Sequence, residues 1–149
     1  MRNFILPAIL IVVAVSACKE PFRKGSNGIE YKIISSGKGE HLKQNDFMQI
    51  HVTQLYQTGR RDSVLSESRT GRGPMIEMVD SFSTPPQYFG ILTQLRKGDS
   101  LVMRSLTDSV YAKADFMPAF FKKGHYLVTT VKVLNIFKTR AQADSAQQA

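Results

Sequence analysis

Side chains able to do covalent chemistry are few and scattered in this chain. Its three histidines stand at positions 41, 51 and 125. His51 falls on the outward face of an alternating segment, and His41 and His125 lie near turns. No second ligand sits at metal-binding spacing from any of them, so no metal and no other cofactor is expected. The runs Gly-x-Ser-x-Gly, Gly-Lys-Ser/Thr and Gly-x-Gly-x-x-Gly are missing, which removes the common hydrolase, phosphate-loop and dinucleotide chemistries. What clusters instead is apolar: Met75 with Met78, and residues 116–121 (FMPAFF), material for either a core or a hydrophobic pocket.

One nucleophile has an informative context, the single cysteine, Cys18. Before it come Arg2, the apolar run of residues 4–15 (FILPAILIVVAV) and the small pair Ser16-Ala17, the layout of an export signal. Residues 15–18 (VSAC) resemble the lipobox of bacterial lipoproteins, in which the cysteine sulfur takes a diacylglycerol and the new amino terminus is acylated. Residues 1–17 are therefore expected to be a lipoprotein signal peptide, Cys18 the lipidation site, and residues 18–27 (CKEPFRKGSN) a tether. That lipid load exceeds the two signals stable anchoring takes. Lys19, rather than Asp, after the cysteine points to the outer membrane, with the domain facing the periplasm.

Composition sets the frame for the rest. A chain of 149 residues buries roughly two-thirds of its unfolded surface and folds as one domain without a disulfide. No run reaches the roughly 18 apolar residues of a spanning helix, which excludes a polytopic membrane protein. The formal net charge of +8 concentrates in Arg60, Arg61, Arg69, Arg72, Lys122 and Lys123. An exported protein meets no nucleic acid, so this is a solvated loop or a surface attracted to anionic lipid or acidic polypeptide.

The elements that must position any site have mostly a period of two. Ile29, Tyr31 and Ile33 alternate with polar residues, as do Met48, Ile50 and Val52. Residues 99–106 begin a third strand, and residues 125–137 (HYLVTTVKVLNIF), rich in β-branched residues, form a central one. Shorter strands are expected at Val64-Leu65 and at residues 74–79. Tyr88, Ile91, Leu92 and Leu95 stand at i, i+3, i+4 and i+7, a short helix stopped by Gly98. The recurring Asp-Ser pairs at Asp62, Asp80, Asp99, Asp108 and Asp144 read as turn chemistry. The expected class is α+β, an antiparallel sheet around one short helix over residues 28–138, followed by a polar, disordered tail at residues 139–149.

The order of segments then becomes recognisable. Residues 28–39 (GIEYKIISSGKG), 43–52 (KQNDFMQIHV), 95–100 (LRKGDS), 106–112 (LTDSVYA) and 127–136 (LVTTVKVLNI) together resemble an FKBP-type peptidyl-prolyl isomerase domain. The lipid-anchored members of bacterial envelopes are the most similar, down to residues 62–66 (DSVLS). The resemblance implies a five- or six-stranded sheet wrapped around the helix, with an apolar pocket between them. It also implies catalysis without a nucleophile: the pocket disfavours the planar, charge-separated X-Pro amide and favours the twisted one while a hydroxyl holds a neighbouring carbonyl.

Carried over residue by residue, the resemblance makes Tyr111 the carbonyl-binding hydroxyl, with Ala112 in place of the family's Gly. Tyr88 falls on the indole position of the pocket floor. Phe120 and Phe121 occupy flap positions where the family keeps branched residues. Leu65 and Ser66 replace the Phe and Asp of F-D-S-S, Val52 the Tyr of V-H-Y, and Thr129 the Phe of the last strand. Met75, or Ile76 in a register shifted by one, makes the remaining wall, and Leu127 joins Tyr88, Phe120 and Phe121 around one cavity. Plain core packing is the alternative at each position. Two functions follow: a prolyl isomerase assisting the folding of exported proteins, or a non-catalytic FKBP-like module that holds extended apolar segments as a chaperone or assembly lipoprotein. The partners implied are proline-containing or unfolded envelope polypeptides and, through Cys18, a membrane.

Cys18→Ala removes the only acceptor for lipid. Metabolic labelling with a fatty-acid analogue should mark the wild-type chain and not the variant; equal labelling of both would refute acylation at this site.

Overall fold

A computed structural model describes residues 20–36 and 38–149. The expected signal peptide, Cys18 and Lys19 lie outside the described residues. Strands stand where alternation placed them at β2 Glu30–Ile34, β3 Phe47–Gln57, β4 Asp62–Glu67 and β5 Met75–Met78, preceded by a short β1 Arg23–Lys24. Then come helix α1 Pro86–Leu92, strand β6 Ser100–Leu106, a single turn α2 Thr107–Val110, strand β7 Tyr126–Phe137 and helix α3 Arg140–Gln148. The seven strands form one antiparallel sheet in the order β1-β2-β6-β7-β3-β4. β5 pairs with residues 47–50 of β3, and β4 with residues 53–57. The long β3 thus carries two short strands on one edge and β7 on the other.

The helix gathers the core. Pro86 opens α1 with a preset φ and no N–H to satisfy. Ile91 is buried within it, and i→i−3 bonds from Gln94 and Leu95 carry the turn on to Leu95, which is fully buried. Both pack with Ile50, Leu101, Val131 and Val133 of the sheet. Ahead of the helix, the Asp80 carboxylate accepts from the N–H of Phe82 and of Ser83 and from the Ser83 hydroxyl. The Phe82 N–H, then the Gln44 and Ser83 groups, hold its carboxyl below the ordinary value against desolvation.

Two terminal segments differ from expectation, and a third strand count follows from one of them. The supposed tether is docked: Arg23 and Lys24 pair with Tyr31 and Glu30, adding a strand beyond the five or six expected. Phe22 lies 3.9 Å from the Arg104 guanidinium, which also sits 4.7 Å above the Tyr126 ring and donates to Glu30 at 2.6 Å. Cation–π stacking of this kind is worth about 0.5–1 kcal/mol at an exposed site. Residues 139–149 are not a disordered tail. The Thr139 hydroxyl accepts from Gln142 N–H, Gln142 accepts in turn from Lys138 N–H, and Ala143 is buried. Asp144 accordingly stands in α3, 3.9 Å from Arg140, and not in a turn.

A buried carboxylate ties these parts together. Asp99, 1% exposed, accepts from Ser36 N–H and Arg96 N–H, both at 2.8 Å, and from the hydroxyls of Ser35 and Ser36. Its backbone pairs with Val133, while Gly98, at φ +88°, brings its Cα so close that a Cβ would meet Ser36 Oγ at 2.9 Å. Burial pushes the Asp99 carboxyl upward, and the hydrogen bonds from Ser36, Arg96 and Ser35 outweigh it, leaving the group below its ordinary 3.8. A depressed folded value means the carboxylate's contribution is complete above about pH 4 and is lost as the pH falls through that folded value.

Asp99→Asn turns an amide N–H toward a backbone donor. It should lower stability by about 2–3 kcal/mol at pH 7 and flatten the acid limb of denaturant melts between pH 7 and pH 2. A variant as stable as wild type at neutral pH would show that the knot is dispensable.

Candidate functional site

Register decides which side chains share the helix-facing surface of the sheet. Val52 pairs with Val131, Gln54 with Thr129, Tyr56 with Leu127, and Met103 of β6 with Thr129. Paired residues project to one face, so these side chains form a single tract leading away from the core toward the open end of the sheet. Above it lie three adjoining concavities. Beside α1 is a cleft of about 100 Å³ lined by Tyr88, Ile29, Met103, Leu127 and Thr129. A cavity of about 300 Å³ is lined by Leu65, Tyr111, Phe121, Leu127, Thr129 and Gln54. The third, about 380 Å³, lies over Val52 and Met75. Leu127 and Thr129 are shared by the first two, and Gln54 by the last two, so the three make one groove.

The expected site residues are therefore brought to one face but spread along it. Tyr111, Leu65, Phe121, Leu127 and Thr129 come together; Tyr88 stands beside them with Leu127 and Thr129; Val52 and Met75 wall the far end. Met75 takes the wall position, since it pairs with Ile50 at the start of β5, and Ile76 pairs with Gln49. Phe120 is the exception. It is 63% exposed and lines none of the three concavities, because Phe121 occupies the inward place and Phe120 stacks on it at 4.1 Å between centroids. Tyr88 and Phe121 likewise flank adjoining hollows rather than one cavity.

The flap between α2 and β7 is held by Tyr56 and Thr107, which the sequence does not single out, together with His125 and Asp108. Tyr56, buried, accepts from Lys122 N–H at 3.0 Å and bonds His125 Nδ1 at 2.5 Å, while its ring meets Phe121 edge-on at 5.1 Å. Thr107, fully buried, donates to Lys122 O at 2.6 Å, and Asp108 accepts from Gly124 N–H at 2.6 Å. These bonds fix Phe121, and Phe121 sets Tyr111, whose ring centroid is 5.6 Å away. The signal was present: positions 52, 54 and 56 continue the alternation of β3 past the point where the apolar pattern was read as ending.

Chemically, the groove offers apolar walls and a phenol. The Tyr111 hydroxyl has no hydrogen-bond partner among the described residues, and Tyr111 lines a hollow with Leu65, Phe121 and Leu127. It is a donor for a carbonyl oxygen; on its other side Tyr111 lines a hollow with Asp108, Asp115 and Lys123.

A sheet curved over one short helix, with a groove between them and a Tyr-bearing loop closing it, is the FKBP-like α+β fold. The chain is similar to solved structures at low sequence identity, three of which follow. FkpA from Escherichia coli superposes with TM-score 0.56 at 21% identity, covering 81% of this chain and 54% of that one. A peptidyl-prolyl cis-trans isomerase from Pseudomonas syringae pv. tomato gives 0.53 at 13% identity, covering 80% of this chain and 84% of that one. The N-terminal domain of FKBP42 from Arabidopsis thaliana gives 0.53 at 11%, covering 78% and 91%. The chain thus spans about half the length of FkpA. No protein-family model matches the sequence, and no curated protein matches it by sequence comparison.

Tyr56→Phe keeps the ring against Phe121 and deletes both hydroxyl bonds. It should cost about 1–3 kcal/mol and accelerate hydrogen exchange at the Lys122 amide, with β3 protection unchanged. An unaltered Lys122 exchange rate would contradict the anchoring role.

Proposed function

We propose that the chain is an FKBP-type peptidyl-prolyl cis-trans isomerase that assists the folding of exported polypeptides, anchored to the outer membrane through lipid on Cys18. The observation that carries this reading is Tyr111, whose hydroxyl has no hydrogen-bond partner among the described residues, lining a hollow of about 300 Å³ with Leu65, Phe121 and Leu127. Rotation about an X-Pro bond meets a barrier of about 18–20 kcal/mol, set by amide resonance. Leaving water for the walls of Leu65, Phe121 and Leu127 costs the charge-separated planar amide more than the twisted one. A hydrogen bond from Tyr111 to the neighbouring carbonyl fixes the flanking peptide while the bond turns. Binding stronger in the twisted state than in the planar one is the whole of the catalysis, so no nucleophile or proton relay is needed.

A second reading rests on a separate observation. Phe116 and Phe120 are 75% and 63% exposed on the flap, and Leu65 stands 42% exposed across from them. Such a rim supports a module that grips extended apolar segments without turning them over. The same reading draws on Val52, Ser66 and Thr129, which stand where the FKBP pattern has Tyr, Asp and Phe.

Tyr111→Phe separates the two. In an isomerase it should lower the acceleration of a proline-limited refolding reaction several-fold, since a bond of this kind is worth roughly 0.5–1.5 kcal/mol. Melting temperature should not change. A holding module gives no acceleration in either form, and its suppression of client aggregation fails when Phe116 and Phe120 are made polar. Acceleration wholly insensitive to Tyr111→Phe would refute the role given to the hydroxyl.

A further inference from the structure

The hollow of about 380 Å³ over Val52 and Met75 differs in chemistry from its neighbours, because its lining joins Arg72 to the Gln54 amide, with Glu67 its one carboxylate. Gln54 has its carbonyl oxygen engaged by the Ser66 hydroxyl at 3.1 Å, which leaves its two N–H groups without a partner among the described residues. Ser68 Oγ accepts Val52 N–H at 2.9 Å and meets His51 Nδ1 at 3.1 Å, so its capacity is used internally. The Arg72 guanidinium lines the hollow and makes no hydrogen bond or ion pair among the described residues; Arg69, three residues before it on the same loop, makes none either. Glu67 is the one carboxylate in the lining, but it is in register with Thr53 while Ser66 is in register with Gln54. The pleat therefore sends the Glu67 side chain to the opposite face from the Gln54 amide.

An apolar floor under a rim of unpartnered donors fits a short aliphatic stem ending in a carboxylate. We propose that this hollow is a subsite for an acidic side chain, Asp or Glu, on the same extended segment whose proline enters the Tyr111 cavity. The inference rests on the proline-peptide reading and adds a substrate class to it. Gln54 is common to both hollows, and an extended chain advances about 3.3–3.6 Å per residue, so the acidic residue is a near neighbour of the proline in sequence. The chain's net charge of +8 and the further cations Arg60 and Arg61 at the β3–β4 turn draw such segments in, and Arg72 selects among them.

Fluorescence anisotropy on the full chain in neutral detergent tests this with three labelled eight-residue peptides that carry Glu, Gln or Lys two residues from a single proline. The Glu peptide should bind about tenfold more tightly than the Gln peptide, with Lys weakest, and the gap should shrink as salt is raised. Arg72→Gln should bring the Glu/Gln ratio near one and leave Gln-peptide affinity unchanged, and Ser66→Asp should favour Lys. Arg60→Gln with Arg61→Gln should keep the ratio. Equal affinity for Glu and Gln peptides in the wild type overturns the subsite and leaves the proline cavity standing. A ratio that survives Arg72→Gln, or that collapses in the Arg60/Arg61 variant, overturns it as well. Arg72-dependent capture by phosphatidylglycerol vesicles without any Glu/Gln discrimination assigns the cations to lipid and sinks the proposal. Failure of all three peptides to bind overturns the underlying proline-site reading itself.

Discussion

The β3–β7 ladder is the constraint on which the remaining structure depends. It runs from Phe47↔Phe137 to Gln57↔Tyr126, and β4, β5 and β6 all hang from one of its two strands. Because side chains alternate, the register of this pair alone decides which residues face α1. A bulge between Gln49 and Ile50 shifts the pairing from Asn135 to Val133. The shift changes parity, so Val133 and Val131 lie on the core face on one side of it and Ile136 packs against the same core on the other. Beyond the buried half, the same alternation delivers Gln54, Leu127 and Thr129 to the groove and Tyr56 beneath the flap. Core and site are consecutive stretches of one surface.

That continuity explains how so little machinery can serve a reaction. The walls of the Tyr111 hollow are held by strand register and by the flap bonds to Tyr56, Thr107 and Asp108. Under the proposed function, walls fixed by bonds internal to the fold limit the ordering that binding an extended peptide must impose. The exposed rings of Phe116 and Phe120 lie on the same loop, Phe120 against Phe121 at 4.1 Å between centroids.

Much of the fold was legible because strands with one buried face must alternate. Ile29–Ile33, Met48–Val52 and the run ending in Ile136 each announced themselves, and the i, i+3, i+4, i+7 spacing of Tyr88 to Leu95 announced the helix. Tyr111, Leu65, Phe121, Leu127 and Thr129 could be grouped only through the FKBP resemblance, since they come from four separate segments and no local spacing links them. Tyr56 escaped notice because its importance lies in a hydroxyl that reaches the flap 66 residues later. The docked segment around Phe22 was read as a linker because cation–π stacking on Arg104 leaves no hydrophobic run in the sequence. Helix α3 hid for a similar reason: one buried alanine and a Thr139–Gln142 cap sustain it, with no apolar stripe to see.

The central claim is that an apolar groove crossing Gln54 and Thr129 and closed by Tyr111 turns X-Pro bonds. Two-dimensional exchange NMR of a single-proline peptide with catalytic amounts of the protein tests it most directly. The account predicts cis–trans exchange peaks at mixing times far below the uncatalysed 10–100 s, with peptide-induced amide shifts confined to Gln54, Leu65, Tyr111, Leu127 and Thr129. Shifts that map to another face of the sheet, with exchange no faster than in free peptide, would contradict it.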